Sequence, residues 1–195
     1  MDQRGDIAVV GLSVMGQNLV LNMDDHGFCV VAHNRDDAFA PNIEKVAAMG
    51  RHVLGAHTVD EMMAALKRPR RIMIMIQAGA AIDQVIEQLI PHCSPGDCLI
   101  DGGNSHFTDT IRRTRRLEEK GLLYVGTGVS GGEEGARRGP SMMPGGSPAA
   151  WPLVKEIFRA ISAKTPDGEP CCDWVGSDGA GHYVKMAHNA IEYGD

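Results

Sequence analysis

The sequence predicts an α/β protein whose mainly parallel sheet is doubly wound, with helices on both faces. Short β-type runs alternate with helical stretches between residues 6 and 125. A glycine-containing turn at residues 11–16 follows the first β-type run and opens the first helix. Strands that alternate with helices usually lie parallel in one sheet and are joined by right-handed crossovers.

The predicted strands are short, and most consist of aliphatic residues. They lie at residues 6–10, 28–33, 71–76, 98–101 and 122–125, with a strand-like piece at 172–175. The first strand ends at Gly11, and the fourth runs into Gly102 and Gly103. Residues 127–146 consist largely of Gly, Ser and Pro, and this composition indicates a long loop that is either functional or disordered.

The predicted helices lie between these strands and are bounded by residues that start or stop helices. They span residues 14–26, 37–48, 59–67, 80–90, 107–120 and 151–163, and a terminal helix begins near Gly179. Gly27 closes the first helix, and Pro41 is expected to interrupt the second. Thr58 and Glu61 have the spacing of a capping box at the start of the third.

The composition is typical of a soluble globular protein. The 195 residues are 43% hydrophobic and 23% charged, with a formal net charge of −6. This charge favours neither a nucleic-acid nor a membrane partner, and no apolar run approaches the roughly 20 residues of a membrane helix. Five cysteines without a C-x-x-C pair predict no disulfide framework and no metal site, and they favour a reduced, cytoplasmic setting.

The turn at residues 11–16 has the pattern of a dinucleotide-binding site. It keeps the outer glycines of G-x-G-x-x-G and has Ser13 in place of the middle one. Gly11 allows the tight turn, Gly16 lets helix and strand pack closely, and the amides of the helix N-terminus favour a pyrophosphate. A plain strand-to-helix turn is the alternative. The candidate cofactor residues are Gly11, Leu12, Ser13, Val14, Met15 and Gly16.

The end of the second strand indicates which dinucleotide binds. NAD enzymes place an acidic residue there, whereas this chain has Asn34 and Arg35. An arginine pairs with a 2′-phosphate through charge-assisted hydrogen bonds of roughly 1.5–3 kcal/mol each. Asp36 opposes this with a repulsion of about 2 kcal/mol at about 7 Å. We expect Arg35 to prevail and the cofactor to be NADP, with a solvated turn as the alternative.

Two later segments are candidates for binding an anionic substrate. Gly131 and Gly132 let backbone amides converge on an anion, and the hydroxyl of Ser130 is a further donor. Asn104 follows two glycines after a strand, where it is able to bridge cofactor and substrate. A flexible turn is the alternative for each segment.

The terminal helix carries a polar stripe. Its members occupy positions i, i+3, i+4 and i+7 and are Lys185, His188, Asn189 and Glu192. For Lys185 to act as a base, its pKa must fall by about three units from about 10.4, which costs roughly 4 kcal/mol. Desolvation beside a bound ring supplies such a shift, and Glu192 is placed to return a proton. An ordinary solvent-facing charge ladder is the alternative.

Several blocks of the sequence carry a family resemblance. They lie at residues 11–19, 101–105, 128–136, 143–146, 168–176 and 182–195. These blocks closely resemble 6-phosphogluconate dehydrogenase, decarboxylating, over essentially the whole chain. The resemblance implies NADP-dependent oxidation of 6-phosphogluconate at its 3-hydroxyl, followed by decarboxylation to ribulose 5-phosphate in the pentose phosphate pathway, without a metal.

The resemblance also implies roles for individual residues. Lys185 resembles the general base of the family, and Glu192 resembles its general acid. Positions that resemble substrate contacts are Asn104, Ser130, Gly131, Gly132, His188, Asn189 and Tyr193. Positions at which the family holds NADP are residues 11–16, Asn34, Arg35, Asp36, Ile76, Gln77, Ala78 and Asn104.

Three positions along the cofactor depart from the family pattern. The family usually has Ala at Ser13, Thr at Asp36 and Lys at Gln77. Two of these differences remove positive charge or add negative charge, so we expect a weakened affinity for NADP.

The chain is also shorter than the family pattern. Family members continue into a large all-helical domain that completes the substrate pocket and forms the dimer. We therefore expect residues 1–177 to form an NADP-binding Rossmann-type domain and residues 178–195 to begin a truncated helical domain. We expect a homodimer of the full-length form and little turnover by this chain alone. The alternatives are another β-hydroxyacid dehydrogenase, such as a 3-hydroxyisobutyrate type, and a non-catalytic NADP-binding remnant.

Overall fold

One eight-stranded sheet organises the protein, of which the computed structural model describes residues 4–34, 40–192 and 194. The strands are β1 (Ile7–Val10), β2 (Val30–His33), β3 (Val53–Ala56), β4 (Arg71–Ile74), β5 (Cys98–Asp101), β6 (Leu123–Ser130), β7 (Ser141–Gly146) and β8 (Gly176–Ser177). Their order is β3-β2-β1-β4-β5-β6-β7-β8, and β6 pairs with β7 in the antiparallel sense while the other neighbours are parallel. The first six strands have the order of a Rossmann fold, which confirms the predicted fold class.

Helices cover both faces of this sheet. They are α1 (Val14–Asp25), α2 (Ala40–Met49), α3 (Val59–Ala64), α4 (Ala80–Leu89), α5 (Phe107–Glu118), α6 (Gly132–Arg138), α7 (Trp151–Ile161) and α8 (Ala180–Glu192). In the part of the chain that the structure describes, none of them has both the length and the apolar character needed to cross a membrane.

The alternation of side chains along the strands produces two separate cores. In β1, Ile7 and Val9 pack into one core with residues of α1, α2 and α7, whereas Ala8 and Val10 pack into the other with residues of α3, α4 and α5. All four residues of β1 are fully or almost fully buried. Burial on both faces explains why the central strands are continuous apolar runs in the sequence.

The predicted loop at residues 127–146 was wrong. These residues continue β6 to Ser130 and then form α6 and β7. Their glycines mark close packing within the sheet: a Cβ on Gly145 would lie 2.6 Å from the backbone nitrogen of Gly181 on α8. Glycine in a strand often has this meaning, since it lets another backbone approach closely.

Other predicted boundaries were also corrected. β3 was missed because it is short and contains Gly55, and because only Ala56 of its four residues is buried. The strand predicted at 172–175 was wrong, since Cys172 makes only an isolated bridge with Met142 and β8 begins at Gly176. Pro41 lies in the first turn of α2 and does not interrupt it. Residues 37–39 of the predicted second helix lie outside the described residues.

The third helix begins as predicted and ends sooner. The amide of Glu61 donates to the hydroxyl of Thr58 at 3.1 Å, and the Glu61 carboxylate accepts the Thr58 amide at 3.3 Å. Both bonds of the predicted capping box are therefore confirmed. The helix ends at Ala64 instead of residue 67. The next strand, β4, ends at Ile74 and α4 begins at Ala80, so residues 75–79 form a loop at the carboxyl end of β4.

Candidate functional site

A cleft lies at the carboxyl ends of the central strands. The strand order reverses between β1 and β4, and ligands of open α/β sheets bind at such a reversal. The cleft has a volume of about 430 Å³. It is lined by Ser13, Met15, Met75, Ile76, Gln77, Ala78, Gly102, Gly103, Asn104 and Val129. The glycine turn, the segment 76–78 and Asn104 were predicted from separate parts of the chain, and the fold brings them together.

The glycines of the turn leave no room for side chains. Gly11 has a φ of +102°, and a Cβ there would lie 2.5 Å from the carbonyl oxygen of Met75. A Cβ on Gly16 would lie 2.0 Å from the carbonyl oxygen of Gly11. Ser13 precedes α1 and makes no side-chain capping bond, so the first amides of the helix have no side-chain partner from this residue. This arrangement fits an anionic ligand, because helix N-termini favour negative charge.

Asn34 holds the turn from the end of β2. Its Oδ1 accepts the backbone N–H of Leu12 at 2.7 Å. The Leu12 side chain is buried in the core, so this residue can reach the cleft only through its backbone. Val14 is half-exposed and is not among the residues that line the cleft. Arg35 and Asp36 lie outside the described residues.

A second cleft adjoins the first and contains most of the predicted substrate residues. Its volume is about 280 Å³. It is lined by Met15, Asn104, Val129, Ser130, Gly131, Gly132, Lys185, Asn189 and Glu192. Asn104 lines both clefts, as do Met15 and Val129. The two clefts are therefore continuous at the position of Asn104.

Helix α8 carries Lys185 into this second cleft because it packs unusually close to β6. A Cβ on Gly128 of β6 would lie 2.4 Å from the Lys185 Cβ, and a Cβ on Gly181 would lie 2.0 Å from the Gly126 carbonyl oxygen. The close approach leaves Lys185 only 8% exposed. Burial lowers the pKa of the Lys185 ammonium group, and the negative charge of Glu192 partly opposes this shift.

The rest of the polar stripe divides between the cleft and its rim. Asn189 lines the cleft, and its buried Oδ1 has no hydrogen-bond partner among the described residues. Glu192 is exposed and also lines the cleft. His188 is not a lining residue; its Nδ1 lies 3.4 Å from Glu192 Oε2, without the geometry of a hydrogen bond. Tyr193 lies outside the described residues.

Sequence reasoning missed His182, a buried group beside the site. His182 is 1% exposed and lines a pocket of about 200 Å³ together with Asn104, Lys185 and Asn189. Its Nδ1 lies 2.6 Å from the hydroxyl oxygen of Thr110, and burial lowers its pKa. The signal was present, because His182 precedes Lys185 by three residues and so extends the same helix face.

A buried ionic network below the first cleft was also missed. Asp101 is completely buried at the end of β5, and Arg113 on α5 is 2% exposed. The Asp101 carboxylate accepts hydrogen bonds from the Gly103 amide, the Ser105 hydroxyl, the Arg113 guanidinium and the Tyr124 hydroxyl. No local pattern indicates this network, because its members come from different elements.

Comparison with protein families identifies the relatives of this chain. The model of the NAD binding domain of 6-phosphogluconate dehydrogenase matches residues 6–176. The chain belongs to this family. The match covers the whole sheet up to the first residue of β8, and it confirms the predicted family.

Proteins described as 6-phosphogluconate dehydrogenase, decarboxylating, are similar along nearly all of this chain. The one from Cunninghamella elegans is 60% identical over 190 residues, which are 97% of this chain and 39% of the relative. The one from Ovis aries is 59% identical over 192 residues, which are 98% of this chain and 40% of the relative. The chain therefore spans about two fifths of the length of these relatives.

Solved structures agree with this assignment. The 6-phosphogluconate dehydrogenase of Plasmodium falciparum, solved in its apo form and in complexes with NADP+ and with 6-phosphogluconate, superposes with a TM-score of 0.89. It is 42% identical, and the match covers 96% of this chain and 40% of that protein. A 3-hydroxyisobutyrate dehydrogenase of Mycobacterium tuberculosis has a TM-score of 0.80 at 22% identity, with 97% and 60% covered. At that identity the likeness shows a shared fold alone.

Proposed function

We propose that this chain is the NADP-binding portion of a 6-phosphogluconate dehydrogenase and that it supplies Lys185 and Glu192 as the catalytic base and acid. The observation that carries the proposal is the continuity of the two clefts at Asn104. Because the clefts are continuous, a dinucleotide bound at the glycine turn and a substrate bound beside Lys185 would be in contact near Asn104. Residues 1–177 are proposed as the cofactor domain, and residues 178–195 are proposed as the start of a helical domain.

Several features of the first cleft support a dinucleotide. Gly11 and Gly16 of the turn admit no side chain, and the turn lies at the N-terminus of α1, where a pyrophosphate is favoured. Met75 and Ile76 offer apolar side chains beside the turn. The resemblance of Asn34 and Arg35 to the family and the NADP+ complex of the Plasmodium falciparum protein favour NADP. When bound, NADP supplies the acceptor for a hydride.

The second cleft supports acid–base chemistry on a sugar acid. The backbone amides of Gly131 and Gly132 and the Ser130 hydroxyl are suited to donate to a carboxylate, and the unpartnered Asn189 Oδ1 is suited to accept from a hydroxyl group. In the proposed reaction Lys185 Nζ accepts the proton of the 3-hydroxyl as the hydride leaves C3, which forms a ketone. The carboxylate then leaves as carbon dioxide, and Glu192 gives a proton to the carbon that carried it.

His188 and Tyr193 remain proposed substrate contacts by resemblance. His188 Nδ1 lies 3.4 Å from the carboxylate of Glu192, so the charge of His188 can affect the proposed acid. The substrate 6-phosphogluconate is likewise proposed from the family relatives, and a homodimer is proposed for the longer form of the protein.

Calorimetric titration of the 195-residue chain with NADP and with NAD tests the cofactor part of this proposal. We expect NADP to bind at least about tenfold more tightly, which corresponds to about 1.4 kcal/mol for the 2′-phosphate contacts. Arg35→Met is expected to abolish the difference. Arg51→Met, a change at an exposed arginine elsewhere, serves as the control and should preserve it. Equal binding of both dinucleotides, or none, would contradict the proposal.

A further inference from the structure

Two adjacent loops line part of the first cleft. Residues 76–78 follow β4 and residues 102–104 follow the neighbouring strand β5. The Arg113 side chain is buried and contacts the end of each loop, at Gly79 and at Ser105. No residue of its helix α5 is among those that line the cleft.

One side of the Arg113 guanidinium holds the first loop. Its Nη2 donates to the carbonyl oxygen of Gly79 at 2.9 Å, at the point where the loop enters α4. Its Nε and Nη2 also donate to the two carboxylate oxygens of Asp83, each at 3.0 Å. Hydrogen bonding from Arg113 is the largest contribution that lowers the pKa of Asp83, to about 2. The start of α4 is therefore fixed by a bidentate ion pair and a backbone bond.

The other side of the guanidinium holds the second loop. Its Nη1 donates to Asp101 Oδ2 and to the Ser105 hydroxyl oxygen, both at 3.2 Å. Asp101 Oδ1 in turn accepts the Gly103 amide at 3.0 Å, and Oδ2 accepts the Ser105 hydroxyl at 2.6 Å. The carboxylate that fixes Gly103 is completely buried, and Arg113 is the cation in contact with it.

We propose that Arg113 is a positioning residue, which fixes the positions of residues 76–79 and 102–105 and so the shape of the dinucleotide cleft. The guanidinium suits this task because its donors form a rigid planar fork that can reach both loops at once. A lysine keeps the positive charge but has a single nitrogen, which cannot maintain both sets of contacts. The contacts of Arg113 are observed in the structure, whereas the measurement of NADP binding rests on the proposed function.

Arg113→Lys in the 195-residue chain tests this role against a matched control. Arg112→Met removes the neighbouring arginine, which also pairs with Asp83 at 3.0 Å but is half-exposed and, among the described residues, hydrogen-bonds to Asp83 and Asp109 and not to either loop. In the absence of ligand, hydrogen exchange of the Gly103 amide, followed by NMR, should be at least about tenfold faster in Arg113→Lys than in the parent. The NADP dissociation constant should also rise at least about tenfold, since small misplacements of contact groups are costly. Arg112→Met should change both quantities less than about twofold.

A second variant keeps the test decisive if Arg113→Lys does not fold. Asp83→Asn loosens only the side of residues 76–79, so it should weaken NADP binding while the exchange of the Gly103 amide stays as in the parent. The role is refuted if a folded Arg113→Lys chain keeps parental NADP binding, whether or not the Gly103 amide exchanges faster. It is also refuted if Asp83→Asn leaves NADP binding unchanged. A parent chain that binds no NADP refutes the proposed function instead, and the Gly103 exchange rate then decides the role of Arg113 by itself.

Discussion

Replacing Lys185 with methionine is expected to lower turnover by roughly 10²–10⁴-fold, the usual contribution of a general base. Methionine is unbranched and apolar, so it fits a position that is only 8% exposed, but it cannot accept a proton. The enzyme for this measurement joins the chain to the C-terminal portion of its Cunninghamella elegans relative. NADPH formation from 6-phosphogluconate and NADP is followed by absorbance.

The control for this loss is Lys155→Met. Lys155 lies on α7 over the ring of Trp151, at 5.9 Å from the ring centroid, and is outside both clefts. Its replacement should leave turnover unchanged. NADP affinity should also be similar in the two variants and the parent, because Lys185 is not among the residues that line the first cleft. Parental turnover in Lys185→Met would refute the proposed base.

Replacing Gly11 with alanine is expected to destabilise the chain by roughly 2–5 kcal/mol and to abolish NADP binding. A side chain at its φ of +102° is strained, and the Cβ would also lie 2.5 Å from the Met75 carbonyl oxygen and 2.7 Å from the Ile76 side chain. Met75 and Ile76 both line the first cleft, so a movement that relieves either contact also changes the shape of the cleft. The free energy of unfolding is measured by urea denaturation.

Gly27→Ala distinguishes the effect of backbone strain from the effect of steric contact between the new Cβ and its neighbours. Gly27 has a similar φ of +84°, but nothing lies within 4 Å of the position of its Cβ. This variant should lose only the roughly 1–2 kcal/mol of the backbone strain and should bind NADP as the parent does. Equal losses of stability in the two variants would show that the close approach of Gly11 to residues 75–76 does not affect stability.

The fold and the grouping of the main residues of the candidate site were predictable because both depend on local sequence patterns. Strands, helices and the glycine turn follow from short-range periodicity, and the carboxyl ends of parallel strands necessarily meet at one edge of the sheet. This geometry brings Asn104 to the glycine turn. The helical period places Asn189 and Glu192 on the same side of α8 as Lys185.

His188 shows the limit of a periodic argument. Positions i+3 and i+4 both neighbour position i, but they lie about 60° to one side and about 40° to the other. The cleft lies on the side of Asn189, and only the packing of α8 on β6 decides that orientation. His182, at i−3, lies on the same side as Asn189 and is buried beside the cleft.

The remaining misses arose from contacts between distant parts of the chain. The glycines of β6 and β7 give these strands the composition of a loop, whereas in the structure they allow α8 to approach the sheet. Arg113 belongs to a helix whose sequence is that of an ordinary basic surface helix. Its partners, Asp83 and Asp101, are 30 and 12 positions away, so their contact with Arg113 exists only after the sheet has formed.

The ability of Lys185 to accept a proton depends on how readily its ammonium group loses one. The most direct measurement is an NMR titration of the chain labelled with ¹³C at the lysine ε-carbons, with Lys185→Met used to assign the signal. Because burial lowers the pKa of Lys185, the midpoint of its signal should lie below about 10.4, the ordinary lysine value. Turnover of the joined enzyme should rise with pH through that midpoint. A midpoint at or above about 10.4 would contradict the proposed role of Lys185.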